Sequence, residues 1–157
     1  MTELYIKRYQ NYNFFKVIND IDKDGDRYTS NIYKFNLNNN TYYVLITYFH
    51  FNTKQITLDF QIEKDFLQDF LDKKDIMCRT YNNTNNFNTF LVLSTVTKIL
   101  IDYYHNNINH LKEFYFLTDC DKKHNIYKSI IRKYLPDWII ISDKKNNDGV
   151  WNTYYQF

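Results

Sequence analysis

The chain has 157 residues, enough for one domain that buries roughly two thirds of its unfolded surface without disulfides or metals. Twenty Lys and Arg against 18 Asp and Glu leave a net charge of +2, which excludes strong bulk attraction to nucleic acid or anionic membrane, so such binding would need a local patch. Alanine is absent and there are only 2 Gly and 1 Pro, while Asn, Ile, Lys and Tyr abound, the mark of an AT-rich genome in which Asn can stand where another genome places Gly.

The aromatic fraction of 20% implies either a core built from Tyr and Phe or a surface that uses some of them for contact. Met1 to Gln10 carries charged and polar residues where a signal peptide needs an apolar run, and no apolar run approaches the ~20 residues of a membrane helix. A cytoplasmic protein with reduced thiols at Cys78 and Cys120 is therefore expected, with no membrane partner.

Tyr12, Phe14, Phe15 and Val17 predict a first strand that runs into Asp20-Ile-Asp22-Lys-Asp24-Gly25-Asp26. Carboxylates at the first, third and fifth positions and a glycine at the sixth open a calcium loop, with Asp20, Asp22, Asp24 and Asp26 as its candidate ligands. The aliphatic eighth position is Arg27, the glutamate twelfth is Asn31, and no helical pattern flanks the segment. An acidic hairpin turn with Asp-Gly as the bend is the preferred reading, with no metal.

Alternation predicts strands at Asn31 to Leu37, Thr41 to Phe51 and Gln55 to Ile62, joined by connectors short enough to force antiparallel neighbours. Both faces of the second are apolar, so it is expected to be central and covered on both sides. Glu63 to Lys74 reads as a short amphipathic helix and Ile76 to Tyr81 as a strand. The Asn82 to Asn88 loop then opens a long helix with Val92, Val96, Ile99, Leu100 and Tyr103 inward and Ser94, Lys98, Asp102 and His105 as a polar stripe.

Strand Leu111 to Leu117 leads to Asp119-Cys-Asp121, where either Asp can cap the next helix. That helix turns Ile126, Tyr127, Ile130, Ile131 and Tyr134 inward and Lys122, Lys123, Lys128, Arg132 and Lys133 outward, and Pro136 stops it. Trp138 to Ser142 and Val150 to Phe157 form a closing hairpin around Asn-Asn-Asp-Gly. These elements predict a single α+β domain over 1–157, a mixed, mostly antiparallel sheet of about six to seven strands with helices on its faces.

This order of strands, long helix, strand, helix and hairpin resembles the GCN5-related N-acetyltransferase (GNAT) fold. The resemblance implies acetyl-CoA as cofactor. It puts the pyrophosphate junction, glycine-rich in the family, at the glycine-free stretch from Arg79, with Asn82, Asn83, Asn85 and Asn86 as the binding residues. Asn125-Ile-Tyr127 matches the family's Asn-to-Tyr stretch and implies Tyr127 as the general acid, while no carboxylate in Ile76 to Tyr81 offers a base.

The chain is also similar to small proteins of tailed phages in Val92-Leu-Ser-Thr-Val96 and the following strand and basic helix with Tyr127. Three functions stay open. The first is a non-catalytic accessory protein of a phage or mobile element that binds a host or virion protein on an acetyltransferase-like scaffold, a homo-oligomer being compatible. The second is an active N-acetyltransferase. The third is nucleic-acid binding through Lys122, Lys123, Lys128, Arg132 and Lys133.

Overall fold

A computed structural model describes residues 8–63 and 86–157. The expected helix after Glu63, the strand Ile76 to Tyr81, Cys78 and Asn82, Asn83 and Asn85 lie outside the described residues. Strands β1 (Tyr12–Ile21), β2 (Arg27–Leu37), β3 (Asn40–Phe49) and β4 (Asn52–Ile62) precede helix α1 (Asn86–Asn106). Then come β5 (Glu113–Thr118), helix α2 (Asp121–Tyr134), β6 (Ile139–Lys145) and β7 (Trp151–Gln156). One seven-stranded sheet results, in the order β1-β2-β3-β4-β5-β7-β6, and its strands pair antiparallel except β4 with β5.

Local chemistry sets the turns. Asp22 Oδ1 accepts from the backbone N–H groups of Asp24 (2.9 Å) and Asp26 (2.8 Å), and Gly25 supplies the left-handed residue at φ +84°, so the acidic segment closes the β1–β2 hairpin. Between β2 and β3 the two-residue turn puts Asn38 at φ 49° and Asn39 at φ 66°. Short amide side chains tolerate this conformation, and a turn left-handed at both central residues matches the twist of its strands. Asn here takes the place usually held by Gly.

Side chains alternate across the sheet, so Tyr42, Val44 and Ile46 of β3 lie on the face that carries both described helices. There they join Phe60, Phe114, Phe116 and Tyr155 and meet Val92, Val96, Ile99 and Leu100 of α1, with Ile131 of α2 and the following Leu135 and Trp138. On the opposite face Ile32, Tyr43 and Leu45 form a smaller buried cluster with Ile18 packed on it. β3 is thus buried on both sides, as its unbroken apolar pattern predicts.

Three sequence expectations are corrected. Ser94, assigned to the polar stripe of α1, is buried along with Thr95 and Thr97, because α1 buries a wider face than its apolar residues mark. Thr95 and Thr97 bond their hydroxyls back to the carbonyls of Leu91 and Leu93, which lets polar residues go inside. The Lys98–Asp102 pair of the same stripe does form, at 2.9 Å. At the start of α2, Cys120 holds the N-cap position without a side-chain bond, and neither Asp caps the helix. Asp121 is already inside it, and its carboxylate reaches sideways to the Trp151 indole (2.7 Å) and Lys145 (3.2 Å). Lys128, expected outward, places its ammonium 2.6 Å from Asp143.

Candidate functional site: the gap between β4 and β5

The two parallel strands pair only at Gln55–Glu113, Ile56–Phe114 and Thr57–Tyr115. Beyond Thr57, β4 keeps its ladder to β3 as far as Ile62, and β5 keeps its ladder to β7 as far as Thr118. The strands therefore part toward their carboxyl ends, the place where sheets with parallel strands hold ligands. A cavity of ≈ 70 Å³ fills the gap, walled by Leu58, Asp59 and Phe60 of β4, Phe116 and Leu117 of β5, Leu93, Val96 and Thr97 of α1, and Tyr127 and Ile130 of α2. Consecutive strand residues point to opposite faces, so a wall containing both Asp59 and Phe60, and both Phe116 and Leu117, runs through the plane of the sheet.

Two side chains give this apolar gap its chemistry. Tyr127 is wedged edge-on between Phe60 (ring centres 6.2 Å apart) and Phe116 (5.9 Å). Burial pushes its phenol well above the ordinary tyrosine range, and the negative charge of Asp59 adds to this, followed by Cys120 and Asp119. The phenol is held as a neutral acid. Asp59 is 7% exposed, and its carboxylate accepts from its neighbour's Phe60 N–H (2.9 Å) and from the Gln61 amide (3.2 Å). The wall thus carries one proton donor and one carboxylate able to accept a proton. At the end of β5, on the face of Phe114 and Phe116, the Thr118 hydroxyl is buried and has no hydrogen-bond partner among the described residues.

What holds Tyr127 in place is a knot one turn earlier on α2. His124 is 3% exposed, its Nε2 lies 2.7 Å from Asp143 Oδ1 and 3.2 Å from Thr153 Oγ1, and its ring stacks on Trp151. Thr153 donates to the same Asp143 oxygen (2.9 Å), and Lys128 takes the other. Partial burial would raise the Asp143 carboxyl, but the hydrogen bonds from Lys128, His124 and Thr153 outweigh it and hold the group below its ordinary value. Sequence reasoning missed His124 and Asp59. His124 stands three residues before Tyr127 and seven before Ile131, on the inward stripe of the helix, and that spacing was the available signal.

Of the residues singled out from the sequence, Tyr127 lies in the gap. Asn86 is the first residue of α1. Lys122, Arg132 and Lys133 are exposed and Lys123 is half-buried, while Lys128 is drawn into the Asp143 knot, so the basic patch is divided. Asp20, Asp22, Asp24 and Asp26 lie along the first hairpin, and among the described residues no group of three or more His, Cys, Asp or Glu is placed to hold a metal ion. Among the same residues no helix is long and apolar enough to cross a membrane. Comparison with protein-family models, curated proteins and solved structures finds no match to this chain.

Proposed function

We propose that the protein is an acetyl-CoA-dependent N-acetyltransferase on a GNAT-like scaffold, with the gap between β4 and β5 as its acyl site. The observation that carries this reading is the pair of Asp59 and Tyr127 on the walls of an apolar gap between two parting parallel strands. The succession of a long helix, a fifth strand, a helix bearing Tyr127 and a closing hairpin supports it. The strand that pairs in parallel with β5 is Asn52–Ile62, and it carries a carboxylate, Asp59, of the kind that the sequence Ile76 to Tyr81 lacks.

The gap fits the cofactor's chemistry. Beyond Thr57 and Tyr115 the two parallel strands are not paired with one another, and an apolar gap lies between them. The cavity of ≈ 70 Å³ is the size for a small acyl group, and helix α1, which lines the gap, starts at Asn86 and offers an amino-terminal end to phosphate. Bound acetyl-CoA supplies the activated acyl group. Asp59 takes up the proton of the acceptor amine, Tyr127 holds a proton at its phenol oxygen within the gap, and the Phe60 and Phe116 rings keep water out.

Thermal unfolding with acetyl-CoA tests the reading, since ligand at about 100 times its dissociation constant stabilises by roughly 2.7 kcal/mol. Tyr127→Phe should keep that shift and slow acetyl transfer to an amine panel by about 10²-fold or more. No shift at millimolar acetyl-CoA sinks it.

A second reading, a non-catalytic phage accessory protein that binds a host or virion protein, is favoured by the sheet edges. Phe14 (56% exposed) and Ile21 (55%) on β1, and Ile139 (66%) and Ile141 (51%) on β6, are apolar side chains on the two outermost strands. A protein that ignores acetyl-CoA yet retains a specific host protein on a column would favour that reading.

A further inference from the structure

A second cavity, of ≈ 390 Å³, lies between the last turns of α1 and the helix-bearing face of β1, β2 and β3. Its volume falls in the range of roughly 300–1,000 Å³ typical of small-molecule sites. Unlike the β4–β5 gap it is polar. Tyr33, Tyr48 and Tyr103 line it with Asn31 and Asn106, and among the described residues their phenol and amide groups have no hydrogen-bond partner. Each phenol can donate and accept, and each amide offers two donors and an acceptor.

The one charged side chain that the described residues put in the wall is neutralised within the protein. Asp102 pairs through Oδ1 with Lys98 at 2.9 Å and accepts the Tyr12 hydroxyl through Oδ2. Among the described residues no other charged side chain lines the cavity, and they offer neither a cation nor an anion a free counter-charge. Burial, with Tyr33 and Tyr48 nearby, pushes the Tyr103 phenol up to about 12, so it stays neutral at physiological pH. Tyr33 is braced edge-on by Tyr12 (6.0 Å) and Phe14 (5.8 Å), which fixes its hydroxyl before a ligand arrives.

We propose that this cavity is a binding site for a neutral, hydroxyl-rich ligand of the sugar class, independent of the acyl site. Ring hydroxyls pair with the open phenols and amides, and the C–H faces of the sugar pack on the tyrosine rings. A site built to bond hydroxyls rejects the analogue that lacks one, because its own polar groups are then left unpaired.

The test is an NMR titration of the full chain with glucose, galactose and N-acetylglucosamine separately, with choline and inorganic phosphate as charged probes. At least one sugar should bind saturably and perturb Asn31, Tyr48 and Asn106. Tyr33→Phe and Tyr103→Phe, which keep the rings and the fold, should each weaken binding roughly fivefold, the usual worth of one hydrogen bond. A deoxy form of the bound sugar should bind more weakly still, and Tyr127→Phe in the gap should leave the sugar affinity as in wild type. The proposal is overturned if no sugar binds at tens of millimolar, if both Phe variants bind as wild type, if the perturbed resonances map to the β4–β5 gap, or if choline or phosphate occupies the cavity instead.

Discussion

The imidazole of His124 lies flat on the indole of Trp151, ring centres 4.1 Å apart and planes within 10°. The indole N–H reaches back to Asp121 at the start of the same helix, so Trp151 grips α2 at two points one turn apart. Through this grip the closing hairpin fixes the helix that carries Tyr127. Stacking in place of an apolar contact makes the joint directional, which a site built around one phenol requires.

Removing that ring should loosen the joint measurably. His124→Ala deletes a stacked pair, leaves Asp143 short of one donor and opens a cavity under Trp151, and the summed cost is about 2–4 kcal/mol. Denaturant unfolding should show it as a lower midpoint with an unchanged slope. A variant as stable as wild type would mean that His124 is dispensable to the fold.

Asp143 predicts an acid limb. Its folded pKa lies below the ordinary 3.8 because the donors around it outweigh its burial, so the unfolded chain takes up protons first as pH falls. The stabilisation is complete above that ordinary value and is lost as pH drops through the folded one. Wild type should therefore lose stability below about pH 4, and Asp143→Asn, less stable at pH 7, should lose less of what it has over the same range. Equal acid slopes for the two proteins would refute this account.

How much of this was legible in the sequence depends on how local the cause is. β3 reads as central because its apolar run is continuous, and the Asn38-Asn39 turn follows from two residues that tolerate a left-handed backbone. His124 did not read, because its partners Asp143 and Thr153 lie 19 and 29 residues away and meet it only when α2 packs on the last two strands. Asp59 failed for a related reason. Thr57, Asp59 and Gln61 alternate with Leu58 and Phe60 as a solvent-facing row would, yet all three are buried. Alternation reports which residues share a face and leaves open what covers that face.

The first hairpin carries its own test. Asp22 accepts two backbone N–H groups through one oxygen, which commits that oxygen to the turn, and the segment is flanked by strands, with no helices to gather further carboxylates. Asp22→Ala should cost about 1 kcal/mol, and millimolar calcium should leave the unfolding temperature of wild type unchanged. A micromolar calcium constant by calorimetry, lost in Asp22→Ala, would show the turn to be a binding loop.

The basic helix gives the last prediction. Continuous over Lys122, Lys123, Lys128, Arg132 and Lys133, its outer face would neutralise several phosphates, and affinity for duplex DNA would fall with salt by a slope near −0.9 for each. Lys128 is instead bonded to Asp143 at 2.6 Å, which takes a central charge out of the row and sets a carboxylate beside it. Lys122 is then two helical turns or more from Arg132 and Lys133, and the net charge of +2 adds no wider attraction. Wild type should leave DNA and RNA unshifted on a low-salt gel. Asp143→Asn, which frees Lys128, should raise whatever weak binding remains, whereas Arg132→Glu with Lys133→Glu should not disturb the fold. A salt-dependent shift by wild type that those two glutamates abolish would restore the helix as a nucleic-acid surface.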